Sequence, residues 1–221
     1  MYAKFFKRLL DFFLSLGALL VLWPVLLILT ILGAFMMKGN PFFMQPRPGK
    51  DEKVIKLIKF RSMTCETDEN GVPLPDEKRL TGYGKFLRSS SLDELPELIN
   101  ILVGDMSIVG PRPLLVKYLP YYTQEQRLRH TVRPGLTGYA QAHGRNGVSW
   151  DAKLEMDVAY VKNITFLGDV RILLDTVRAV LKREGISQQG EATMEDFVDY
   201  VMWKRKAKEE NEFCEASGGV Q

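Results

Sequence analysis

Twenty-six consecutive residues, FFLSLGALLVLWPVLLILTILGAFMM at positions 12–37, carry no charge. Such a run is long and apolar enough to demand lipid around it, so it constrains the fold more than any other stretch. It exceeds the apolar region of a secretion signal and ends in Met36, Met37 and Lys38 rather than at a small-residue cleavage site, so it reads as a retained anchor. A straight helix of this length measures about 39 Å and could cross a ~30 Å hydrocarbon core with tilt. Pro24, the thirteenth residue of the run, removes a backbone donor and favours a kink at its midpoint. Two arms of roughly 18–20 Å would then reach the bilayer midplane and return. Lys4, Lys7 and Arg8 precede the run, and Lys38, Arg47, Lys50, Lys53, Lys56, Lys59 and Arg61 follow it, so both flanks look cytoplasmic. From these residues alone, a spanning helix and a re-entrant hairpin both remain open.

The rest of the 221-residue chain, 46% hydrophobic overall, is long enough for one globular core beyond the anchor. Cys65 and Cys214 match no metal-ligand spacing and suit a reduced compartment. The net charge of +3 is mild, and the basic excess at 38–61 fits anionic lipid or phosphate better than a nucleic-acid groove. Residues 42–63 predict two extended runs around a Pro/Gly turn, with Val54, Ile55, Leu57, Ile58 and Phe60 as apolar members, and 64–82 predicts an exposed loop. Helices are expected at about 92–103, through 114–130 with a break near Pro120, at about 150–162 after Ser149, and at 167–184. The last shows Val170, Leu173, Leu174, Val177, Val180 and Leu181 at helical spacing, with Gly185 as C-cap. Residues 195–213 suggest an amphipathic helix, and CEASGGVQ reads as a disordered tail.

Chemistry concentrates in RSSSLDELPELIN at 88–100, where Asp93 and Glu94 stand side by side between Arg88 and Pro96. Helix capping explains the pair without invoking function, since Ser91 and Glu94 fit a capping box and carboxylates suit a helix N-terminus. A start at Asp93 is the better fit, because Pro96 then falls in the first turn, where its missing N–H is harmless. In VGPRPL at 109–114, Pro111 and Pro113 flank Arg112 and restrict its backbone, so one guanidinium is presented rigidly. Lys59, Arg61, Arg88, Arg133 and Arg145 lie near glycines, a strand end or a helix start. Each alone is an ordinary surface cation; together with an acidic pair and an anchor they suit a site for a diphosphate and a divalent metal. GYGKFL at 82–87 is too incomplete for a nucleotide loop, His130 and His143 lack ligand partners at metal spacing, and no nucleophile elbow occurs.

These motifs, in order, resemble the bacterial sugar transferase family, and within it the small monotopic phosphoglycosyl transferases. The resemblance is carried by KRLLD before a proline-broken apolar segment, KFRSM, LRSSSLDELPELINILVGDMSIVGPRPLL, VRPGLTGYAQAHGRN and GEAT, and covers about Phe6 to Phe197. It implies a mainly helical α+β fold: a re-entrant membrane hairpin helix over 1–38, a catalytic domain over 39–197 with interfacial amphipathic helices and a short β-hairpin, and a tail over 198–221. It implies transfer of a sugar 1-phosphate from a UDP-sugar, diacetylbacillosamine or a related N-acetylated sugar, to undecaprenyl phosphate at the cytoplasmic face of the inner membrane.

On that resemblance Asp93 matches the nucleophile and a ligand of Mg²⁺, and Glu94 its dyad partner, helping to place the metal or to move a proton. Lys59, Arg88, Arg112 with Pro111 and Pro113, and Arg145 match phosphate or uridine contacts; Gln141 and Asp169 align with the site region. Pro24 matches the hairpin apex, although the family commonly has Ser-Pro where this chain has Trp23-Pro24, and tryptophan lacks the hydroxyl that bonds a freed carbonyl. Partners implied are the two substrates, membrane lipid and downstream glycosyltransferases, with no nucleic acid. A membrane-tethered scaffold and a UDP-sugar hydrolase on the same fold are the competing readings.

Overall fold

The computed structural model describes residues 2–37, 39–143, 148–181 and 196–217. After a π-helical turn at Tyr2–Phe6, helix α1 runs from Lys7 to Met36 with Pro24 inside it. Buried or packed positions along α1 are Asp11, Ser15, Ala18, Leu19, Leu22, Leu26, Leu29 and Gly33, a seam that recurs every three or four residues over the whole helix. Ala18, Leu19 and Leu22 meet Leu57, Leu98, Ile101 and Met106, whereas Leu26 and Leu29 meet Phe60 and Leu87. Polar ties hold both ends. Arg8 donates to the carbonyls of Ile101 and Leu102 at 2.6 and 2.7 Å, and Asp11 accepts from the Ser107 hydroxyl and the Ile108 amide. Tyr83 donates to Leu29 O near the other end. Both ends of the anchor therefore touch one domain, and the rest of its surface is exposed and apolar, Leu20, Val21, Trp23, Ile28 and Phe35 among it.

Strands β1 (Phe42–Pro48) and β2 (Val54–Phe60) form the expected antiparallel hairpin, with Phe42 opposite Phe60 and Pro48 opposite Val54. Two short helices follow, α2 (Asp76–Arg79) and α3 (Gly82–Ser90), then α4 (Glu97–Val103). Gly104, at φ 100°, ends α4 in the left-handed region where a side chain is strained. Asn100 fastens α4 to the hairpin, accepting from Ile58 N and donating to Lys56 O. Strands β3 (Ser107–Val109) and β4 (Gly135–Thr137) pair in parallel. A Cβ on Gly135 would stand 2.1 Å from Gly110 N, so this contact excludes any side chain. Helices α5 (Tyr139–His143), α6 (Trp150–Lys162), α7 (Phe166–Leu181) and α8 (Phe197–Ser217) complete the chain.

Several expectations are corrected. The 114–130 stretch is two 3₁₀ turns, Val116–Tyr121 and Gln126–His130, rather than a broken α-helix; Pro120 denies the i to i−4 ladder, and Tyr118 and Tyr122 turn inward onto Trp150 and Phe197. The α7 face is rotated from the predicted stripe: Asp169, Ile172 and Ala179 are buried while Leu174 and Val177 are exposed. Asp169 sets that rotation, because it accepts from Tyr2, Lys7 and Tyr160 at 2.7, 2.6 and 2.8 Å and must face inward. Helix α8 extends to Ser217, through Cys214–Ser217, which the sequence reading gave to a disordered tail. Helix α6 begins as expected, with Ser149 capping Ala152 N. The predicted C-cap Gly185, the GEAT stretch and Arg145 lie outside the described residues.

Candidate active site

The acidic pair does not sit in a capping box. Ser91 adopts φ 56° as the C-cap residue that follows α3 and caps nothing with its side chain. Leu92–Glu94 then forms one 3₁₀ turn, and α4 starts at Glu97 with Pro96 at its N-cap, later than the start at Asp93 that the sequence suggested. Successive bonds from Leu95 N to Leu92 O, Leu98 N to Leu95 O and Ile99 N to Pro96 O wind the turn directly into α4. Pro96 stands where no N–H is required, so the tight turn holds and lifts Asp93 and Glu94 onto the rim of the domain.

Glu94 is gripped by cations. Its Oε1 accepts from Lys59 Nζ at 2.9 Å and from Arg112 Nη2 at 2.6 Å, linking the end of β2, the acidic turn and the Pro-Arg-Pro loop. Burial alone would raise Glu94, but Arg112 and Lys59, charged and hydrogen-bonded to it, hold it down to about 2. It is ionised at neutral pH and serves as a fixed anionic post. Asp93 differs. Half-buried, it makes no side-chain hydrogen bond and no ion pair within 4 Å among the described residues. Burial, then the neighbouring Glu94, pushes its carboxyl above the usual range, against the pull of Lys59, Arg112 and Arg88. An ungripped carboxylate of raised basicity among cations has the attributes of a nucleophile toward an anionic centre.

Lys59 also lies 3.0 Å from Glu97 Oε1, outside hydrogen-bond geometry, so that buried oxygen has a charged neighbour and no donor. Burial pushes Glu97 up to about 7, with Glu94 adding to the rise and Lys59 opposing it. In the sequence Glu97 is marked only by its spacing of three from Glu94, one turn away. A raised folded pKa means stability that is complete below the unfolded value of 4.5 and lost as pH climbs through about 7. Wild type should thus lose up to about 3 kcal/mol that Glu97→Gln does not lose, from 1.36 kcal/mol per unit. Melting curves at pH 5 and 8.5 should show the variant gaining on wild type at the higher pH; parallel pH profiles would contradict this account.

Other cations complete the rim. Arg88 Nε donates to Ser62 Oγ at 3.0 Å, which points α3 at the turn. Arg47, whose Nε has no partner, is held down by burial and then by the proximity of Arg112. Lys153 of α6 is lowered to about 8 by burial and by Arg112. Neither was expected at the site, because nothing in their own neighbourhoods marks them; tertiary approach to Arg112 does. Pro111 and Pro113 are buried and leave Arg112 at the surface. Arg133 is used elsewhere, donating to Gly104 O at the end of α4. Gln141 donates to Leu136 O and keeps a buried Oε1 with no partner among the described residues, and Asp169 is engaged by Tyr2, Lys7 and Tyr160; no hydrogen bond or ion pair among the described residues joins either to the acidic turn.

Among the described residues no cluster of three or more His, Cys, Asp or Glu side chains could hold a metal alone. Mg²⁺ rarely needs one: it keeps its waters and takes one or two carboxylates with substrate phosphates. The donor set fits that mode, since Asp93 offers free carboxylate oxygens.

The profile of the bacterial sugar transferase family matches residues 2–183. The chain belongs to the bacterial sugar transferase family. It is 50% identical over 192 residues to the uncharacterized sugar transferase EpsL of Bacillus subtilis, covering 86% of this chain and 95% of that protein. It is 40% identical over 195 residues to the exopolysaccharide production protein PSS of Rhizobium leguminosarum, covering 80% and 96%. To the UDP-glucose:undecaprenyl-phosphate glucose-1-phosphate transferase of Klebsiella pneumoniae it is 40% identical over 182 residues, 78% of this chain but only 39% of that longer protein. Like its relatives, this protein is a transferase, and every residue of the acidic turn and the Pro-Arg-Pro loop lies within the matched region.

Proposed function

We propose that the protein transfers a sugar 1-phosphate from a UDP-sugar to undecaprenyl phosphate and releases UMP, through a covalent intermediate on Asp93. The observation that carries this reading is the contrast between neighbours: Glu94 Oε1 is held by Lys59 and Arg112, and Asp93 beside it has no hydrogen-bond or ion-pair partner among the described residues. An Asp93 oxygen attacks the β-phosphorus of the donor, a carboxyl–phosphorus bond forms, and the bond to the bridging oxygen breaks as UMP leaves. A phosphate oxygen of the lipid then attacks the same phosphorus and displaces the carboxylate. Lys59, Arg88 and Arg112 offset the repulsion between carboxylate and diphosphate. Bound Mg²⁺, held by Asp93 and substrate phosphates, would neutralise further charge.

The domain would rest on the cytoplasmic face of the inner membrane, with α1 entering and leaving the same leaflet at Pro24. In support, α1 is seamed along its length to a domain that also carries charged Lys56, Lys85 and Arg88, which a spanning orientation would drag into hydrocarbon. Phe43, Met44, Phe166 and Leu167 are further exposed apolar side chains suited to the interface.

Donor alone should give a UMP burst that ends near one per enzyme, and adding undecaprenyl phosphate should make release continuous. Steady release without acceptor would indicate a hydrolase, and none with any donor a scaffold. The sugar expected, diacetylbacillosamine or a related N-acetylated hexose, is decided by a panel of such UDP-sugars with UDP-glucose as the contrast.

A further inference from the structure

Arg112 is held from two sides. Its guanidinium reaches Glu94, while its carbonyl oxygen accepts from Arg129 Nη2 at 2.7 Å. Arg129 is buried, its side chain 1% exposed, and its partner Asp157 of α6 is 6% exposed. Nε and Nη2 of Arg129 donate to Asp157 Oδ2 at 3.1 and 2.7 Å, Nη1 donates to Tyr122 OH at 3.4 Å, and the guanidinium lies over the Tyr122 ring. One nitrogen, Nη2, thus serves both the carboxylate and the loop carbonyl. The prolines fix φ at 111 and 113, and Pro113 narrows ψ of Arg112 to the extended range; Arg112's own φ is fixed by neither, so a donor on its carbonyl removes a rotation the prolines leave open.

A buried ion pair contributes little net stability compared with an apolar pair of the same volume. Stability alone therefore does not account for this arrangement, whereas the bond to Arg112 O gives it a task. Lysine could keep the charge opposite Asp157, but one ammonium would have to replace the Nε, Nη1 and Nη2 donors that together hold Asp157, Tyr122 and the loop carbonyl in one plane.

We propose that Arg129, oriented by Asp157, is a positioning residue that fixes the Arg112 carbonyl and so sets where the Arg112 guanidinium meets Glu94 and the donor diphosphate. This rests on the proposed role of Arg112 as a phosphate clamp. The tie runs from α6 through the 3₁₀ turn at Gln126–His130 to the loop, three segments far apart in sequence.

Two variants test it, Arg129→Lys and the double Arg129→Met/Asp157→Leu. The double variant removes both buried charges, so its melting temperature should stay near that of wild type. Both should lower kcat of UMP release by about 10–100-fold, the usual effect of losing a supporting contact behind a site residue, with KM little changed. A second readout needs no turnover: labelling of arginines by a 1,2-dione, followed by peptide mass spectrometry, with exposed Arg178 as internal reference. Arg112, released from Glu94, should label several-fold faster in both variants. A double variant that melts like wild type and keeps wild-type turnover and labelling would overturn the proposal, as would unchanged labelling in Arg129→Lys should the double variant not fold. If wild type releases no UMP from any donor, the functional reading fails, and the labelling ratio alone still decides the positioning role.

Discussion

Asp93→Asn should abolish UMP release, by at least about 10⁴-fold, the scale on which removal of a covalent nucleophile acts. The substitution keeps size and shape and removes the carboxylate of the turn that, among the described residues, no cation grips. Asparagine cannot form the carboxyl–phosphorus bond, and the fixed cations by themselves have nothing to transfer the phosphosugar onto. The fold should persist or gain slightly, because burial and the adjacent Glu94 already disfavour a charge at position 93. Mass spectrometry of the 88–100 peptide after incubation with donor alone supplies the second arm. Wild type should show a phosphosugar adduct on that peptide and the variant none. Turnover by Asp93→Asn within tenfold of wild type, or an intact wild type that never carries the adduct, would remove the nucleophile from this account.

How much of this was readable beforehand depended on sequence distance. The β1–β2 hairpin and the Ser149-capped α6 are local patterns, set by alternation and by one cap, and both formed as expected. Asp93, Glu94 and Arg112 stood out because a proline-rich frame and adjacent charges are visible within a few residues. What stayed hidden is long-range. Lys59 meets Glu94 across 35 residues, Arg129 meets Asp157 across 28, and Asp169 meets Lys7 across 162. No periodicity encodes such partners. The Asp169 network turned α7 away from its apparent apolar stripe, since satisfying a buried carboxylate with three donors outweighs burying Leu174 and Val177. Neither the preferred helix start at Asp93 nor the capping box at Ser91 formed, for a related reason. A left-handed residue there ends one helix, so the serine hydroxyl never faces the amides of the next.

The anchor shows the same division. Its length and lack of charge were plain, and its seam to the domain was not, because most seam residues are as apolar as their exposed neighbours. Arg8, Asp11 and Ser15 are polar exceptions, and the bonds of Asp11 to β3 and of Arg8 to the end of α4 tie the apolar helix to the helix that follows the acidic turn.

Glu94→Gln should lower kcat by about 10²–10³, the range seen when a preorganised electrostatic contact is removed. Glutamine matches glutamate in size, so the fold around the turn should persist; what is lost is the charge that holds two cations at fixed height beside Asp93. With that charge gone, Lys59 and Arg112 are free to turn onto Asp93 itself, converting the ungripped nucleophile into a gripped one. The pH dependence carries the distinguishing sign. Glu94 is one of the causes that raise Asp93, so its neutralisation must lower the Asp93 pKa, and cations drawn closer lower it further. Because attack requires ionised Asp93, the acidic limb of the rate profile should move to lower pH in the variant even as the plateau falls. Loss of the acidic limb in Glu94→Gln would mean that Glu94, rather than Asp93, supplies the group whose ionisation gates the reaction, and an upward move would contradict the coupling between the two carboxylates.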